Sequence, residues 1–320
     1  MALVTRVKRT SKPKLPLEIR EVVCNSWDDV TQAFESLTND SAFRQQSASR
    51  WIFRGQADAA WLLENLLRRT YRHKCEEWAV SWVWNSAMVL KRIEGQLAFD
   101  FASKAQLHGF NVSVDRPVAL LSSMQHFRAP TRLLDWTYSA FVALFFALER
   151  QSECATAAVW AINITALHQA ATRKVLPVKR LPDGTRVVPP IRLMDFSSEK
   201  NFKKFVLPDL DSYHLTHLLG EPAIEIVVPI VPSSQNERLS AQQGLFLCPS
   251  RIGTDFMGQV EKLMRGVKQE WIVKILIPAA LRTEALRRLF RMNVHPLSLF
   301  PGADGLGQFC AQKAELWGWE

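Results

Sequence analysis

The sequence predicts an α+β fold with a mostly antiparallel sheet and flanking helices. Segments with helical periodicity lead, and short apolar segments typical of strands are scattered among them rather than alternating regularly with helices. Hydrophobic residues make up 48% of the chain and charged residues 22%, as in ordinary globular proteins. With 320 residues, the chain is long enough to bury a large core.

The first predicted helix, over 26–37, has the clearest local signals. Ser26 is the expected N-cap, and Asp28 and Asp29 follow in the first turn, where negative charge stabilises a helix. Further helices are expected over 62–71, 76–102, 117–126, 139–148 and 283–291. Strands are expected over 47–53, 155–162, 224–231 and 272–277, and a short strand or an extended turn is expected over 133–137.

Two basic segments differ from the rest of the chain. Residues 1–17 are basic and contain two prolines, so we expect a disordered tail. Residues 173–222 show few periodic elements and many basic residues and prolines, which indicates a basic insertion within the domain that covers 18–320. The net charge of +9 favours a nucleic-acid or acidic target. A solvated tail and a solvated loop are the alternative interpretation.

Sequence features of a membrane span, a secretory signal or a metal site are missing. The longest apolar stretch, 140–148, is much shorter than the ~20 residues that cross a bilayer, and the N-terminus turns basic without an apolar core. The five cysteines are scattered without a CxxC pair, and no HExxH motif occurs. We therefore expect a cytoplasmic protein with reduced thiols, no membrane partner and no metal.

Two stretches place polar side chains directly beside apolar ones, and they are the candidates for a functional site. In the first, residues 51–53 read as the end of a buried strand, and Arg54, Gly55 and Gln56 follow at once. The guanidinium of Arg54 suits a phosphate or a carboxylate, and a glycine lets the backbone approach a ligand. A structural ion pair between Arg54 and Asp135 is the alternative, and the two roles are compatible.

The second stretch, residues 125–137, brings several hydrogen-bonding groups together after an expected helix. His126 can act as a base near neutral pH, or it can serve only in packing. Its last three residues supply an acceptor, an aromatic ring and a hydroxyl. The candidates in this stretch are Gln125, His126, Thr131, Arg132, Asp135, Trp136 and Thr137.

These stretches resemble the FRG domain family, which is named after its Phe-Arg-Gly tripeptide. The resemblance lies in Phe53-Arg54-Gly55-Gln56, in Gln125-His126, in the run from Pro130 to Thr137, and in Ala143-Leu144-Phe145-Phe146-Ala147. It is weaker at 242–246 and at 299–306. The resemblance implies an FRG-type domain over 18–320 that contains the basic insertion.

The same features are similar, at the level of the fold, to the NAD-binding half of ADP-ribosyltransferases. In that superfamily an Arg-Gly or His-Gly dipeptide on an early strand grips the dinucleotide, and a later polar strand precedes a helix with small residues and phenylalanine. The similarity implies an ADP-ribosyltransferase-like core with NAD as the substrate. It implies that NAD contacts Arg54, Gly55, Gln56, Gln125, Thr131, Arg132, Trp136 and Thr137, and that Asp135, His126 and Gln243 serve catalysis.

The chain departs from that superfamily at the late strand. The transferases carry a glutamate there, whereas the corresponding stretch, 239–246, has Gln242 and Gln243 and no acid. A glutamine can hold a ribose hydroxyl, but it cannot supply the negative charge that stabilises a developing cation. If the chain is an enzyme, Asp135 is the expected source of that charge.

Three functions remain open from the sequence. The first is an ADP-ribosyltransferase or NAD hydrolase that acts as an intracellular toxin or anti-phage effector, with a neutralising or regulatory protein partner. The second is a protein that binds or processes nucleic acid. The third is a non-catalytic sensor or interaction domain on a transferase-like fold, in which Arg54, His126, Arg132 and Asp135 form a structural network.

Overall fold

The described part of the chain forms one seven-stranded sheet, a second sheet of two short strands, and helices on both faces of the main sheet. The structure is a computed structural model that describes residues 19–38, 50–77, 87–152, 155–176, 179–180, 186–187, 193–206, 224–232 and 236–317. The strands are β1 (Arg20–Val23), β2 (Trp51–Gln56), β3 (Leu134–Thr137), β4 (Ala157–Asn163), β5 (Lys179–Arg180), β6 (Arg186–Val187), β7 (Val227–Ile230), β8 (Gly244–Pro249) and β9 (Ile272–Ile277). The helices are α1 (Trp27–Thr38), α2 (Leu66–Glu77), α3 (Ala87–Ala105), α4 (Pro117–His126), α5 (Ala140–Leu148), α6 (Ile164–Val175), α7 (Glu199–Phe205), α8 (Glu237–Ala241), α9 (Phe256–Met264), α10 (Arg282–Arg291), α11 (Pro296–Leu299) and α12 (Ala303–Trp317).

The main sheet is mostly antiparallel, which confirms the predicted α+β class. Its strand order is β1-β9-β4-β2-β3-β8-β7. Every neighbouring pair runs antiparallel except β1 and β9, which are parallel. The two strands of the candidate site, β2 and β3, are neighbours near the centre, and β8 lies directly beyond β3.

The sheet separates two hydrophobic cores. All residues of the central strand β4 are buried; Trp160 and Ile162 belong to one core, and Val159 and Ala161 to the other. This division follows from the alternation of side chains along a strand. Helices α4, α6 and α9 cover the first core, and α1, α5 and α10 cover the second.

Local signals predicted several elements well. Ser26 caps α1 as expected, since its Oγ accepts a hydrogen bond from the backbone N–H of Asp29 at 3.1 Å. The predicted helix over 62–71 begins four residues later, at Leu66. The predicted helix over 76–102 is described from Ala87 onward, and residues 78–86 lie outside the described residues.

Elements in the second half of the chain were missed by pattern alone. They include α6, which begins at an Asn163 cap that accepts a hydrogen bond from Ala166 at 3.0 Å. They also include α9, α12 and the fully buried β8. Short apolar runs such as 244–249 do not distinguish a buried strand from a helix turn, which is why periodicity failed there.

The predicted basic tail at 1–17 lies outside the described residues, as does much of the predicted insertion at 173–222. Within that insertion, Phe196, Phe202 and Val206 are buried in the first core. Glu199 accepts hydrogen bonds from the first N–H groups of α4, at 3.0 Å from Val118 and 3.3 Å from Ala119. This part of the segment therefore packs as an integral piece of the domain. Within the described ranges, no helix has the length and apolarity needed to cross a membrane.

Candidate functional site

A pocket of about 370 Å³ opens where β2 and β3 meet the end of α4 and the start of α8. Seven of the residues predicted from sequence line it: Arg54, Gly55, Gln125, His126, Asp135, Trp136 and Thr137. The structure therefore brings both predicted stretches to one place. The pocket is also lined by Glu64, Arg69, Arg128, Phe146, Asn236, Arg238 and Gln242.

Arg54 projects from β2 toward β3. Its Nη1 donates a hydrogen bond to the backbone carbonyl of Asp135 at 2.6 Å and lies 3.8 Å from the Asp135 carboxylate. Its Nε is buried and has no hydrogen-bond partner among the described residues. Burial lowers the pKa of Arg54, while Asp135 raises it and Arg69 lowers it further. The guanidinium is thus anchored to β3 at one nitrogen and retains donors for a ligand.

The Asp135 carboxylate is held by a chain of side-chain hydrogen bonds. Gln125 Nε2 donates to Asp135 Oδ2 at 2.8 Å, and the hydroxyl of Thr131 donates to Gln125 Oε1 at 2.5 Å. The backbone N–H of Leu133 donates to the Thr131 oxygen at 3.1 Å. Gln125 and Thr131 each donate one hydrogen bond and accept another in this chain, so the Asp135 carboxylate is held in one orientation although its side chain is 57% exposed.

His126 lines the same pocket at the end of α4. Burial lowers the pKa of His126 below its ordinary value, and the positive charge of Arg238 lowers that pKa further. The imidazole is therefore neutral at pH 7. In this state it can donate one hydrogen bond and accept another, which suits a group that faces a substrate.

Trp136 and Thr137, the two residues after Asp135, line the pocket but are largely buried in its wall. Trp136 is 3% exposed, and its Nε1 has no partner among the described residues. The Thr137 hydroxyl donates to the carbonyl of Gln242 at 2.7 Å and accepts from the N–H of Ser139 at 3.0 Å. Thr137 thereby ties β3 to the segment before β8.

The packing of the fold requires a glycine at position 55, which the sequence did not reveal. A Cβ atom at this position would overlap the carbonyl oxygen of Ala143 and would lie 2.5 Å from the backbone nitrogen of Ala147. Helix α5 therefore packs its backbone directly on β2, which only a glycine permits. Close approach by a helix, rather than by a ligand, accounts for this residue.

Three other predicted residues are turned into the protein interior, and one faces solvent. Gln56 accepts from Trp160 Nε1 at 2.7 Å and donates to the carbonyl of Leu62 at 3.0 Å. Thr131 is buried and orients Gln125, as described above. Gln243 is exposed and is absent from the pocket lining, whereas its neighbour Gln242 lines the pocket.

Arg132 is the largest of the residues turned inward. It is 1% exposed, and its Nε lies 2.9 Å and 3.0 Å from the two carboxylate oxygens of Glu94, which its Nη2 also contacts. Its Nη1 donates to the carbonyl of Ser250 at 3.0 Å. Arg132 therefore joins α3 to β3 and the end of β8, away from the pocket.

Three arginines of the pocket were not singled out from the sequence: Arg69, Arg128 and Arg238. Arg128 adopts a left-handed backbone conformation with φ of 63°. Arg238 lies over the ring of Phe300, with its Cζ 4.9 Å from the ring centroid. Isolated surface arginines carry no sequence signal of their own, since only the fold decides which of them converge.

The pocket is electropositive. Of its two carboxylates, Glu64 is bound at 3.1 Å by both Arg68 and Arg72, which leaves Asp135 facing four lining arginines. Burial lowers the pKa of Arg238, Asp135 opposes that effect, and Arg128 reinforces it. Arginine guanidinium groups around a partly desolvated cavity form a binding site for anionic groups such as phosphates.

Over the described ranges, no group of three or more His, Cys, Asp or Glu side chains is placed to hold a metal ion. Cys24 and Cys248 are free and buried, and burial raises their pKa to about 11 and about 12, respectively.

Comparison with known families agrees with the motifs that form the pocket. The FRG domain model matches residues 49–155, a range that includes β2, α4, β3 and α5. No curated protein and no solved structure matches the chain. The matched range contains Arg54, Gln125 and Asp135, whereas Arg238 and Gln242 come from later in the chain. Residues 49–155 of this chain are therefore an FRG domain.

Proposed function

We propose that this protein consumes NAD, either by transferring ADP-ribose to a target or by hydrolysing NAD, and that the pocket around Arg54 and Asp135 is its active site. One observation carries the proposal. The pocket joins four arginines to one oriented, accessible carboxylate. This combination matches the needs of a dinucleotide, which presents phosphates for binding and a glycosidic bond for cleavage.

The arrangement of the sheet supports the proposal independently. The transferase similarity selects three distant segments: the Arg-Gly strand, the polar strand before a small-residue helix, and the late strand. These are β2, β3 and β8, and they lie side by side in the sheet. Phe53 pairs with Thr137, and Asp135 pairs with Phe246. Helix α5 packs on β2 at Gly55, as described above.

In the proposed reaction, the arginines bind the pyrophosphate and leave the nicotinamide riboside near Asp135. The glycosidic C–N bond breaks, and nicotinamide leaves with the bonding electron pair. Water or a target nucleophile then forms the new bond to the ribose carbon and releases a proton. Asp135 stabilises the developing positive charge on the ribose, because no glutamate lies on β8. Neutral His126 positions a hydroxyl or receives the proton.

The decisive experiment measures nicotinamide release from NAD by wild type, Asp135→Asn and Arg54→Ala, with and without cell lysate as the source of a target. We expect turnover to fall roughly 100-fold or more in both variants. Arg291→Ala is the matched control, since Arg291 is an exposed arginine outside the pocket. Loss of turnover in Gln243→Ala but not in Asp135→Asn would contradict the assignment of the acid.

A non-catalytic nucleotide sensor is the second candidate, because the Asp135 carboxylate already has Gln125 as a donor and Arg54 nearby. An aspartate held in this way can be a fixed structural element of a binding site. Calorimetry separates the two functions: NAD binding that depends on Arg54, without nicotinamide release in either condition, favours the sensor.

We further propose that NAD consumption makes the protein a cytoplasmic toxin or anti-phage effector that a protein partner restrains. Loss of NAD would halt growth, so expression of wild type should arrest cells, and expression of Asp135→Asn should not. Equal growth with both proteins, at equal soluble levels, would count against this role.

A further inference from the structure

Three phenylalanines form a surface cluster beside the pocket, which we name the aromatic platform: Phe101, Phe110 and Phe127. The rings of Phe110 and Phe127 are stacked, with centroids 4.8 Å apart and an interplanar angle of 14°. The ring centroid of Phe101 lies 5.7 Å from that of Phe110 and 6.2 Å from that of Phe127. Three rings from α3, the loop after it and the end of α4 therefore converge.

The aromatic platform is anchored on one side and open on the other. Phe101 packs against the first core, whereas Phe127 is 54% exposed. Large apolar side chains that cluster on a surface commonly mark a binding site. A ring held by stacking at one face also costs little conformational entropy when it binds a ligand, because it is already ordered.

The platform is continuous with the pocket. The ring of His126, which lines the pocket, lies 4.7 Å from the ring of Phe127. Arg128 follows directly and also lines the pocket. Its φ of 63° is the left-handed conformation that commonly ends a helix, since the N–H of Arg128 donates to the carbonyl of Gln125 at 3.1 Å and the N–H of Ala129 donates to that of Met124 at 2.8 Å. The end of α4 therefore sets Arg128 directly after Phe127, at the border between the aromatic platform and the pocket.

The charge of the pocket also exceeds what one dinucleotide needs. Four arginines line the pocket, whereas NAD, the proposed substrate, carries two phosphates whose charge is partly balanced by its own positive nicotinamide ring. Asp135 offsets one of these positive charges, and Glu149 lies outside the pocket lining. Positive charge therefore remains for a second anion at the edge where the aromatic platform begins.

We infer that the target of this site is a single-stranded nucleic acid, whose bases stack on the aromatic platform and whose phosphates contact Arg128. Stacking on aromatic rings and contacts from arginines to the backbone are the two components of single-strand binding. A duplex does not fit this description, since its bases are already stacked on each other. The inference rests on the proposed function in one respect: it takes the pocket as the place where the target is modified.

Fluorescence anisotropy with a labelled single-stranded oligonucleotide, in the absence of NAD, tests the inference. We expect Phe127→Ala to weaken binding on the order of tenfold, and Phe127→Trp to retain it. Leu107→Ala is the control, since Leu107 is 82% exposed and lies outside the platform. Arg128→Gly should reduce the slope of log affinity against log salt by about 1 while the fold is kept.

Several outcomes would overturn the inference. They are equal binding by Phe127→Ala and Leu107→Ala, equal binding of a duplex with the same sequence, and no oligonucleotide binding by wild type. Displacement by polyglutamate that is equal for wild type and Phe127→Ala would indicate an acidic protein target instead.

The same proteins separate this inference from the proposed function. Oligonucleotide binding that depends on Phe127, without nicotinamide release, would leave the inference standing and refute the enzyme. Nicotinamide release that depends on Asp135, with unchanged oligonucleotide binding in Phe127→Ala, would refute the inference alone.

Discussion

Replacement of Arg132 by methionine should cost far more stability than replacement of any arginine of the pocket. Arg132 and Glu94 are 1% and 2% exposed, and the guanidinium contacts both oxygens of the carboxylate. Arg132→Met would leave the Glu94 carboxylate buried without its cation and remove the donor to Ser250. Breaking a buried pair from one side costs about 3–5 kcal/mol, a large part of the ~5–15 kcal/mol that stabilises a domain.

Replacing both members, Arg132→Met with Glu94→Met, removes the stranded charge and should restore most of the lost stability, since apolar replacement of a buried ion pair is often neutral or favourable. Arg54→Ala should cost much less, because Arg54 is one-fifth exposed. Urea denaturation followed by circular dichroism at 25 °C measures the free energy of unfolding for all four proteins.

If Arg132→Met loses less than about 1 kcal/mol, or if the double variant is no more stable than the single one, the buried pair does not behave as described. A loss of ligand binding in Arg132→Met at full stability would instead show that Arg132 contributes to the binding site, as predicted from the sequence.

Three further predictions follow from the geometry. Gly55→Ala should lower the free energy of unfolding by about 1–3 kcal/mol, since its Cβ would overlap the backbone of α5. Gly95→Ala in α3 has open space around its Cβ and should stabilise the protein by up to about 1 kcal/mol. Thermal denaturation of both variants checks this. Burial lowers the pKa of His126 in the folded protein, so the unfolded chain binds more protons near and below the ordinary histidine pKa. The free energy of unfolding should therefore fall as the pH decreases from 7 toward 5, and His126→Gln should flatten that dependence. An unchanged pH profile in His126→Gln would count against this role of His126. Raised thiol pKa values and burial should protect Cys24 and Cys248 from iodoacetamide at pH 8 in the native protein but not in urea, as mass spectrometry of the labelled peptides would report.

Local sequence patterns predicted the parts of the fold that depend on near neighbours. The capped helix α1, the Pro-started helix α4 and the strands β2, β3, β4, β7 and β9 carry their own signals in caps, breakers and apolar runs. The same patterns missed β8 and α9, whose identity as strand or helix depends on what they pack against. Periodicity describes which face is apolar, not which partner covers it.

The residues of the candidate site likewise fall into two groups: those that a sequence motif predicts and those that only folding brings to the pocket. Arg54, Gln125, His126 and Asp135 were recognisable because they stand in a motif, and the structure brings them to one pocket. Arg238 stands in no motif, and it reaches the pocket only because α8 precedes a strand that pairs with β3.

The sequence by itself determined the α+β class and the FRG motif, and it pointed to Asp135 as the partner of Arg54. Only the tertiary structure decided that Arg132 turns inward to Glu94 while Arg128 turns to the pocket, and that Gly55 receives a helix and not a ligand. The physical reason is that a side chain's role depends on the groups that surround it after folding. Glu94 is 38 residues from Arg132, and no local pattern encodes that contact.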